Sequence, residues 1–427
     1  MKVRQAIALL LAISSLHCSQ AGSGRDVVAL SRWAKEEGIV MHECLEWKQY
    51  TTDKGEQEED WGLVLTKSLP RGTVLLKVPR SLVLDAAVIC DKLKSEWVPA
   101  QLENAMKALG NYQVHLEKFW IVLQLLRCRK ECKNSNNNNR WAPWLAAMPQ
   151  TFPQFSKAEQ ACLPFYARYA SEYQDAQLDA FCQAAMALQE IDDNNPDDAD
   201  DLKWAFQAVG SRFWKTAPIK EGIPTTSELV PIGDMFNHRD PPNVAMVHDE
   251  EDSITFVYMG DDDDKKDGDD DADHRDLFIT YGQESNPHRL LVIFGFVPDE
   301  TAMPKVWSHL IYSDTNQFSN NIPEMVFDAT DGSVSQNVWD AVLYEILQPI
   351  EPEEFLQARE ENHVKYKPFT ADLLNDHVTR QLEELASLRA NIDSTTGDNM
   401  DLIRQHNDFM TRTFIRVKET LKQYLKN

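Results

Sequence analysis

The sequence predicts an α+β protein, with strand-forming segments on both sides of a long helical region and a helical lobe at the end. Three observations predict this arrangement. β-Branched and leucine residues flank a Pro-Gly turn between residues 61 and 79, and strand and turn signals return from 228 to 310. Helical apolar periods fill residues 82–212 and dominate again after about 311.

Composition indicates a globular protein. The 427 residues allow roughly two to four domains. Hydrophobic residues make up 43% of the chain and charged residues 26%, which is close to the globular average. The net charge of −25 argues against sequence-independent nucleic-acid binding, which needs clustered lysine and arginine. We therefore expect a basic partner and no nucleic acid.

Residues 1–21 have the order of a targeting leader. Lys2 and Arg4 precede an apolar run from Ala6 to Ile13, and Ser19-Gln-Ala21 forms a small-x-small cleavage pattern. The run is too short to span a bilayer, so no membrane span is expected in the mature chain. A signal peptide suggests the secretory pathway, but the cysteine spacing shows no dense disulfide framework. A plastid address through a bipartite leader stays open.

The stretch from Trp61 to Pro79 predicts two short strands around the turn Leu69-Pro-Arg-Gly72, because proline and glycine interrupt a run rich in leucine and valine. We expect these two strands to pair as a hairpin.

Residues 82–212 predict a mainly helical insert. One apolar face carries Phe119, Val122, Leu123 and Leu126. Breaks are expected at 134–139, which is rich in asparagine, and at 192–201, which is rich in aspartate. Both aspartate-rich stretches of the chain, 192–201 and 261–276, are predicted to be solvated loops because like charges repel.

The acidic tract 261–276 does not fit a calcium loop. An EF-hand beginning at Asp263 would place Lys265 where a carboxylate belongs and His274 where a bidentate glutamate belongs. We therefore predict no metal site. A secreted acidic protein that binds cations through its aspartate tracts stays as a minor alternative.

Two long amphipathic helices are predicted after residue 311, from about 369 to 390 and from about 400 to 425. The first carries one apolar stripe. Its members are Leu374, Val378, Leu382, Leu385 and Leu388.

Two short motifs carry the functional signal. The first is Pro231-Ile-Gly-Asp-Met-Phe-Asn-His238, and the second is Leu277-Phe-Ile-Thr-Tyr-Gly282, followed by Ile293-Phe-Gly-Phe296. Alone, an Asn-His pair is usually a local turn, and a tyrosine at a strand end is usually core or surface. In this order the motifs resemble the SET-domain protein methyltransferases of the Rubisco large-subunit methyltransferase type.

The resemblance implies a domain plan. It places a SET domain at 40–310, with a helical insert at 82–212 and an acidic loop at 261–276, and a helical substrate-binding-like lobe at 311–427. In this family the two motifs thread past each other in a pseudoknot, an exception to the usual unknotted topology. We expect a monomer.

The resemblance also implies S-adenosyl-L-methionine as cofactor and a protein substrate methylated on lysine, or on histidine. Tyr281 is the implied catalytic residue, orienting the amine near the transferred methyl group. Arg212 would pair with the cofactor carboxylate, and Gly62 would permit close backbone approach. The implied cofactor-binding residues are Glu59, Trp61, Gly62, Arg212, Asp234, Asn237, His238 and Tyr281. The implied substrate channel contains Phe294 and Phe296.

Three departures from the family bear on function. Phe294 stands where many relatives have tyrosine, which puts methylation multiplicity or substrate choice in doubt. Trp61 replaces a smaller residue and would narrow the cofactor pocket. No cysteine follows Cys182, so a zinc-binding post-SET cluster of histone-directed relatives is not expected, and a non-histone substrate fits better. The alternative function is an inactive SET scaffold that binds basic peptides through an acidic groove.

Overall fold

The computed structural model describes residues 26–51, 57–93, 104, 106–107, 109, 112–134, 139–192, 195–216, 226–239, 241–249, 253–260, 275–282, 286–297, 305–307, 326–347 and 359–425. The predicted leader and residues 261–274 of the acidic tract lie outside these ranges. None of the helices within them combines the length and the apolar character that a bilayer crossing requires.

The chain alternates short strands with helices. The helices are α1 (Val27–Glu36), α2 (Ala86–Leu93), α3 (Tyr112–Asn134), α4 (Ala142–Ala147), α5 (Lys157–Gln160), α6 (Phe165–Ala187), α7 (Pro196–Arg212), α8 (Pro287–Arg289), α9 (Gln336–Leu347), α10 (Arg359–Ser394) and α11 (Met400–Leu421). The strands are β1 (Val40–Met41), β2 (Leu45–Thr51), β3 (Gln57–Leu65), β4 (Val74–Val78), β5 (Leu84–Asp85), β6 (Trp214–Thr216), β7 (Thr226–Leu229), β8 (Asn237–His238), β9 (Val244–His248), β10 (Ile254–Tyr258), β11 (Arg275–Asp276), β12 (Phe278–Ile279), β13 (Lys305–Trp307) and β14 (Val326–Asp328).

The strands of the described residues form five small sheets, which confirms the α+β class. Four sheets are antiparallel, with strand orders β1-β4-β10-β9, β11-β3-β2, β5-β7-β6 and β13-β14. The fifth pairs β8 with β12 in parallel.

The predicted hairpin between residues 61 and 79 is wrong, although both of its strands exist. β3 pairs with β2 and β11, whereas β4 pairs with β1 and β10. The turn itself bonds to β10, since the Gly72 amide donates to the Tyr258 carbonyl at 2.8 Å. Strand-forming residues fix an extended backbone locally, but burial of the faces decides which strands become partners.

The described part of the insert is mainly helical, as predicted. The predicted apolar face of α3 lies in the main hydrophobic core, with Phe119, Val122, Leu123 and Leu126 completely buried. The helix ends at Asn134, where the asparagine-rich stretch begins.

The aspartate-rich stretch 192–201 is helical from Pro196 onward and is not the predicted loop. Pro196 begins α7, and the Asn195 side chain caps the helix by accepting from the Asp197 amide. Asp197 and Asp198 then lie in the first turn, where carboxylates interact favourably with the helix dipole. Asp201 is buried and pairs with Arg129 at 2.8 Å and Lys133 at 2.6 Å. Counter-ions from α3 thus overcome the repulsion that the sequence suggested.

We expect Asp201→Ala to lower the free energy of unfolding by about 1–3 kcal/mol, because two cations lose a buried, charge-assisted partner. Urea denaturation measures this change. Asp200→Ala, one position earlier on the exposed side of α7, is the control, with an expected change within about 0.5 kcal/mol. Equal losses in both variants would show that the ion pairs contribute nothing.

The C-terminal helices confirm the predicted stripe. Leu374, Val378, Leu385 and Leu388 are buried, and Leu382 packs against the same core. The first helix begins ten residues earlier than predicted, at Arg359, and continues through Pro368. α11 ends at Leu421 and is followed by a short 3-10 turn.

Residues 287–294 are helical, whereas strands and turns were predicted there. The Asn286 side chain caps α8 by accepting from the Arg289 amide, and residues 290–294 continue as a π-helical turn. The run Leu-Leu-Val-Ile-Phe is apolar throughout, and such a run does not distinguish a buried strand from a buried helix. Leu291 and Val292 pack with residues of both the insert and the C-terminal helices.

Candidate functional site

Parallel pairing of β8 with β12 brings the two motifs together. Asn237 lies opposite Phe278, and His238 lies opposite Ile279. The Arg239 amide extends the pairing by donating to the Ile279 carbonyl at 3.2 Å. The asparagine-histidine motif therefore lies directly beside the strand that leads to Tyr281.

The turn that enters β8 is strained. Ile232 is fully buried and has φ of +67°, a conformation that β-branched residues rarely adopt. A Cβ atom on the next residue, Gly233, would lie 2.2 Å from the Phe256 ring. Backbone strain of this kind costs about 1–3 kcal/mol and occurs often at functional sites.

Three interactions with two residues hold Tyr281. Its hydroxyl donates to the Phe236 carbonyl at 3.0 Å, and its backbone amide donates to His238 Nδ1 at 3.2 Å. Its ring stacks on the His238 ring with 5.1 Å between centroids. The phenol therefore has a fixed position next to the asparagine-histidine motif.

Four rings form an aromatic cluster: His238, Tyr281, Phe294 and Phe296. Phe294 stacks on Tyr281 with centroids 4.7 Å apart, and Phe296 meets Tyr281 edge-on at 6.4 Å. Phe296 also lies 6.0 Å from His238. The two phenylalanines predicted to line a substrate channel thus contact the predicted catalytic tyrosine.

Gly295 separates the two phenylalanines at a position where any side chain would be strained and would collide with Pro153. Its φ is +76°, and an added Cβ would lie 2.1 Å from Cγ of Pro153. The left-handed residue ends the π-helical turn, so that the flanking rings of Phe294 and Phe296 can both reach Tyr281.

Gly62 of β3 lies close to Asn237, which precedes His238 of the aromatic cluster in β8. A Cβ at this position would lie 2.8 Å from Asn237 Nδ2 and 2.9 Å from the Tyr50 hydroxyl. Only glycine permits this approach of the β3 backbone to Asn237. Trp61 is half-buried beside it, and Glu59 lies in the same strand with its side chain outside the described part of the structure.

Arg212 and Asp234 form an ion pair just before β8. Arg212 Nη1 donates to the Asp234 carbonyl at 2.6 Å and lies 3.2 Å from its Oδ2. Trp144 Nε1 donates to the other carboxylate oxygen at 3.1 Å. The Nε of Arg212 is buried and has no hydrogen-bond partner among the described residues.

The structure thus brings together Gly62, Asn237, His238, Tyr281, Phe294 and Phe296, with the Arg212–Asp234 pair upstream. Sequence reasoning assigned no role to Tyr50, Phe236 or Trp144. Nothing in the local sequence around Trp144 indicates a bond to Asp234. Within the described ranges, no group of three or more acidic, histidine or cysteine side chains could hold a metal ion, and all six cysteines there are free thiols.

Comparisons with known proteins support the fold. No family model matches the chain, and no curated protein matches it. Among solved structures, the SET domain of LSMT bound to lysine and AdoHcy has a TM-score of 0.55 at 15% identity, covering 95% of this chain and 92% of that one. Rubisco LSMT bound to sinefungin and monomethyllysine has a TM-score of 0.52 at 16% identity, with 92% of both chains covered. Rubisco LSMT bound to AdoMet gives 0.54 at 15%, covering 93% and 91%. Over nearly its whole length, this chain has the fold of the Rubisco LSMT SET-domain structures.

Proposed function

We propose that the protein is an S-adenosylmethionine-dependent protein methyltransferase that acts on a lysine side chain of a non-histone protein. The observation that carries the proposal is the convergence of Gly62, Asn237, His238 and Tyr281 beside Phe294. These residues come from three distant parts of the chain. Structures with the same fold are bound to AdoMet, AdoHcy, lysine or methyllysine.

The residues present fit the cofactor. Because residue 62 is a glycine, the β3 backbone can lie close to Asn237, whereas a Cβ atom there would collide with the Asn237 amide. The buried Nε of Arg212 has no hydrogen-bond partner in the described part of the chain, and such a donor on a cationic group suits a carboxylate. Asn237 and His238 would hold the adenine and amino-acid portions, with Asp234 fixing Arg212. When bound, S-adenosylmethionine supplies an electrophilic methyl group.

The chain's own residues prepare the acceptor. A lysine amine must be neutral to attack, and at pH 7 this costs roughly 4–5 kcal/mol from a solution pKa of about 10.4. Apolar rings of the aromatic cluster exclude water, which lowers the amine's pKa in the required direction. The fixed Tyr281 phenol then orients the nucleophile, and alignment contributes several kcal/mol more. Histidine is the second candidate acceptor, because its imidazole needs less desolvation to become neutral.

The proposal is tested with a proteome extract, the recombinant chain and a labelled methyl donor, followed by mass spectrometry of the labelled peptides. We expect label on lysine. Label on histidine would support the proposed methyltransferase activity, with histidine instead of lysine as the acceptor. Binding of S-adenosylhomocysteine without any labelled product would favour the inactive scaffold.

Gly62→Ala provides a direct test of the cofactor loop. We expect S-adenosylhomocysteine affinity to fall by at least about tenfold, because the new methyl would displace the Asn237 amide. Isothermal titration measures it. Gly72→Ala is the control: its site has nothing within 4 Å, and its positive φ costs about 1–2 kcal/mol of stability without touching the cluster. Unchanged affinity in Gly62→Ala would remove this loop from the cofactor site.

A further inference from the structure

Three aromatic side chains follow one another along the outer face of α6. Phe165 and Tyr169 are 50% and 59% exposed, and Tyr173, four residues further on, is half-buried. We call these three residues the aromatic row. Phe369 is the third exposed aromatic side chain among the described residues, so two of the three are neighbours on one helix. Contiguous exposed apolar surface of this kind marks interaction sites.

The rings of the aromatic row are ordered by stacking. Phe165 and Tyr169 have centroids 6.4 Å apart and planes 18° from parallel, and Tyr169 and Tyr173 have centroids 6.5 Å apart and planes 26° from parallel. The Tyr173 hydroxyl donates to the Leu109 carbonyl at 3.1 Å, which fixes one end of the row. Rings that are already aligned lose little side-chain entropy when a partner binds, so they suit recognition better than isolated exposed rings.

Carboxylates run beside the aromatic row on the same helix. Glu172, Asp175 and Asp179 are all exposed, and their spacings of three and four residues place them in one stripe of α6. We call these three residues the acidic row. Glu172 follows Tyr169 by three residues and therefore neighbours it on the helix surface. The two rows thus lie side by side.

The nearby cations do not neutralise the acidic row. Arg168 is the one basic residue of α6. Lys157 of α5 donates to Asp175 at 2.9 Å. That hydrogen bond raises the pKa of Lys157, opposed by desolvation, and attraction to the other two members of the acidic row adds to the rise. At the start of α6, Glu384 of α10 accepts from the Phe165 amide at 2.8 Å. The surface around the aromatic row is therefore net acidic, like the whole chain with its charge of −25.

The aromatic row adjoins the segment that leads to the aromatic cluster. Tyr166 packs edge-on against Phe165 with centroids 5.0 Å apart, and its ring lies 6.1 Å from the His288 ring of α8. Phe294 follows His288 by six residues of continuous helix, a rise of about 9 Å. A protein partner typically covers roughly 800 Å² of surface, so one partner can contact the aromatic row and the aromatic cluster together.

We propose that the aromatic row docks a basic, arginine-containing segment of the protein substrate. Guanidinium groups are planar, stack on aromatic faces and pair with carboxylates, so the two rows recognise one side chain through two contacts. The identity of the partner as a substrate rests on the proposed function, whereas binding of the segment does not. A segment docked here holds the acceptor side chain near the aromatic cluster without occupying it.

A peptide without lysine or histidine tests the docking alone, because it offers no acceptor side chain. The probe is a fluorescein-labelled octapeptide of alternating arginine and glycine, and its control has glutamine in place of each arginine. Fluorescence anisotropy with the full chain measures both affinities. We expect the arginine peptide to bind, and the glutamine peptide to bind at least about tenfold more weakly.

Tyr169→Ala removes the middle ring of the aromatic row and leaves the charge unchanged. We expect its affinity for the arginine peptide to fall about five- to thirtyfold. Glu172→Gln should lower this affinity about three- to tenfold. Two controls should bind as the wild type does: Phe369→Ala, which removes a ring of similar exposure from α10, and Glu36→Gln, which neutralises an exposed carboxylate of α1.

Methyl transfer gives a second readout. With a whole protein substrate, Tyr169→Ala should raise KM and leave kcat unchanged, because docking contributes equally to the ground and transition states. Transfer to a short lysine peptide should not change. Peptide binding without any transfer would leave the docking intact and remove the proposed function, whereas transfer with an unchanged KM in Tyr169→Ala would do the reverse.

Four outcomes of the binding experiments overturn the proposal. The wild type does not bind the arginine peptide, or Tyr169→Ala binds it undiminished, or the glutamine peptide binds equally well. The fourth is a dimer in sedimentation velocity that Tyr169→Ala dissociates, which would make a second copy of the chain the occupant of the aromatic row.

Discussion

In Tyr281→Phe, the turnover number falls by about 10²–10³ while affinity for S-adenosylhomocysteine stays within about threefold of the wild type. The variant keeps the ring, and hence the stacking on His238 and Phe294. It loses only the hydroxyl that donates to the Phe236 carbonyl. Under the proposed function, that hydroxyl is the polar group of Tyr281 that orients the acceptor. Its loss should therefore slow methyl transfer without weakening cofactor binding.

Single-turnover transfer of labelled methyl, with titration of S-adenosylhomocysteine in parallel, gives both quantities. Tyr173→Phe is the matched control. This variant also removes a phenol hydroxyl with two hydrogen-bond partners, Leu109 and His115, but Tyr173 lies in the insert and not in the aromatic cluster. Equal transfer by Tyr281→Phe and the wild type would end the catalytic assignment, whatever the cofactor affinity.

Much of the site could be predicted because its motifs are short and continuous. The two motifs Asn237-His238 and Tyr281-Gly282 can be recognised from their residues and their order in the sequence. Parallel pairing of β8 with β12 then places them side by side. The roles of Tyr50 and Trp144 could not be predicted. The Tyr50 hydroxyl bonds to Asp276 and lies close to the Gly62 backbone, while Trp144 bonds to Asp234, and spacing along the chain does not encode such long-range packing.

The errors in the fold have the same origin. Two strands between residues 61 and 79 were predicted and exist as β3 and β4, but their partners lie elsewhere in the sequence. Asp201 was assigned to a loop because local composition shows the repulsion and not the counter-ions Arg129 and Lys133 on another helix. Local propensity was overridden by tertiary contacts in each case.

The junction between the insert, α8 and α11 should make the protein sensitive to acid. His288 Nδ1 lies 3.1 Å from His406 Nε2, and both residues are buried. His406 Nδ1 bonds to Asn407 Oδ1, while the Asn407 amide donates to the Cys162 carbonyl. This orientation makes His406 a donor at Nδ1 and an acceptor at Nε2, so His288 is the donor between them. Such a chain requires His406 to be neutral.

Burial lowers the pKa of His406 to about 4, and that of His288 well below its ordinary value. An unfolded histidine titrates near 6.5, so between about pH 6.5 and 4 the unfolded chain binds more protons than the folded one. Stability is therefore retained above pH 6.5 and lost as the pH falls. For His406 alone, we expect a loss of about 2 kcal/mol between pH 7.5 and pH 5.

Urea unfolding at about pH 7.5 and pH 5 measures this loss, and His406→Gln isolates its source. Glutamine can still accept from His288 but cannot be protonated, so we expect lower stability at neutral pH and a smaller loss on acidification. His42→Gln, at the turn before β2, is the control and should keep the wild-type difference. An identical acid loss in His406→Gln would contradict the assignment, since the protons would then bind elsewhere. Because His288 is six residues from Phe294, acid should also loosen the aromatic cluster before global unfolding, which near-ultraviolet circular dichroism would detect.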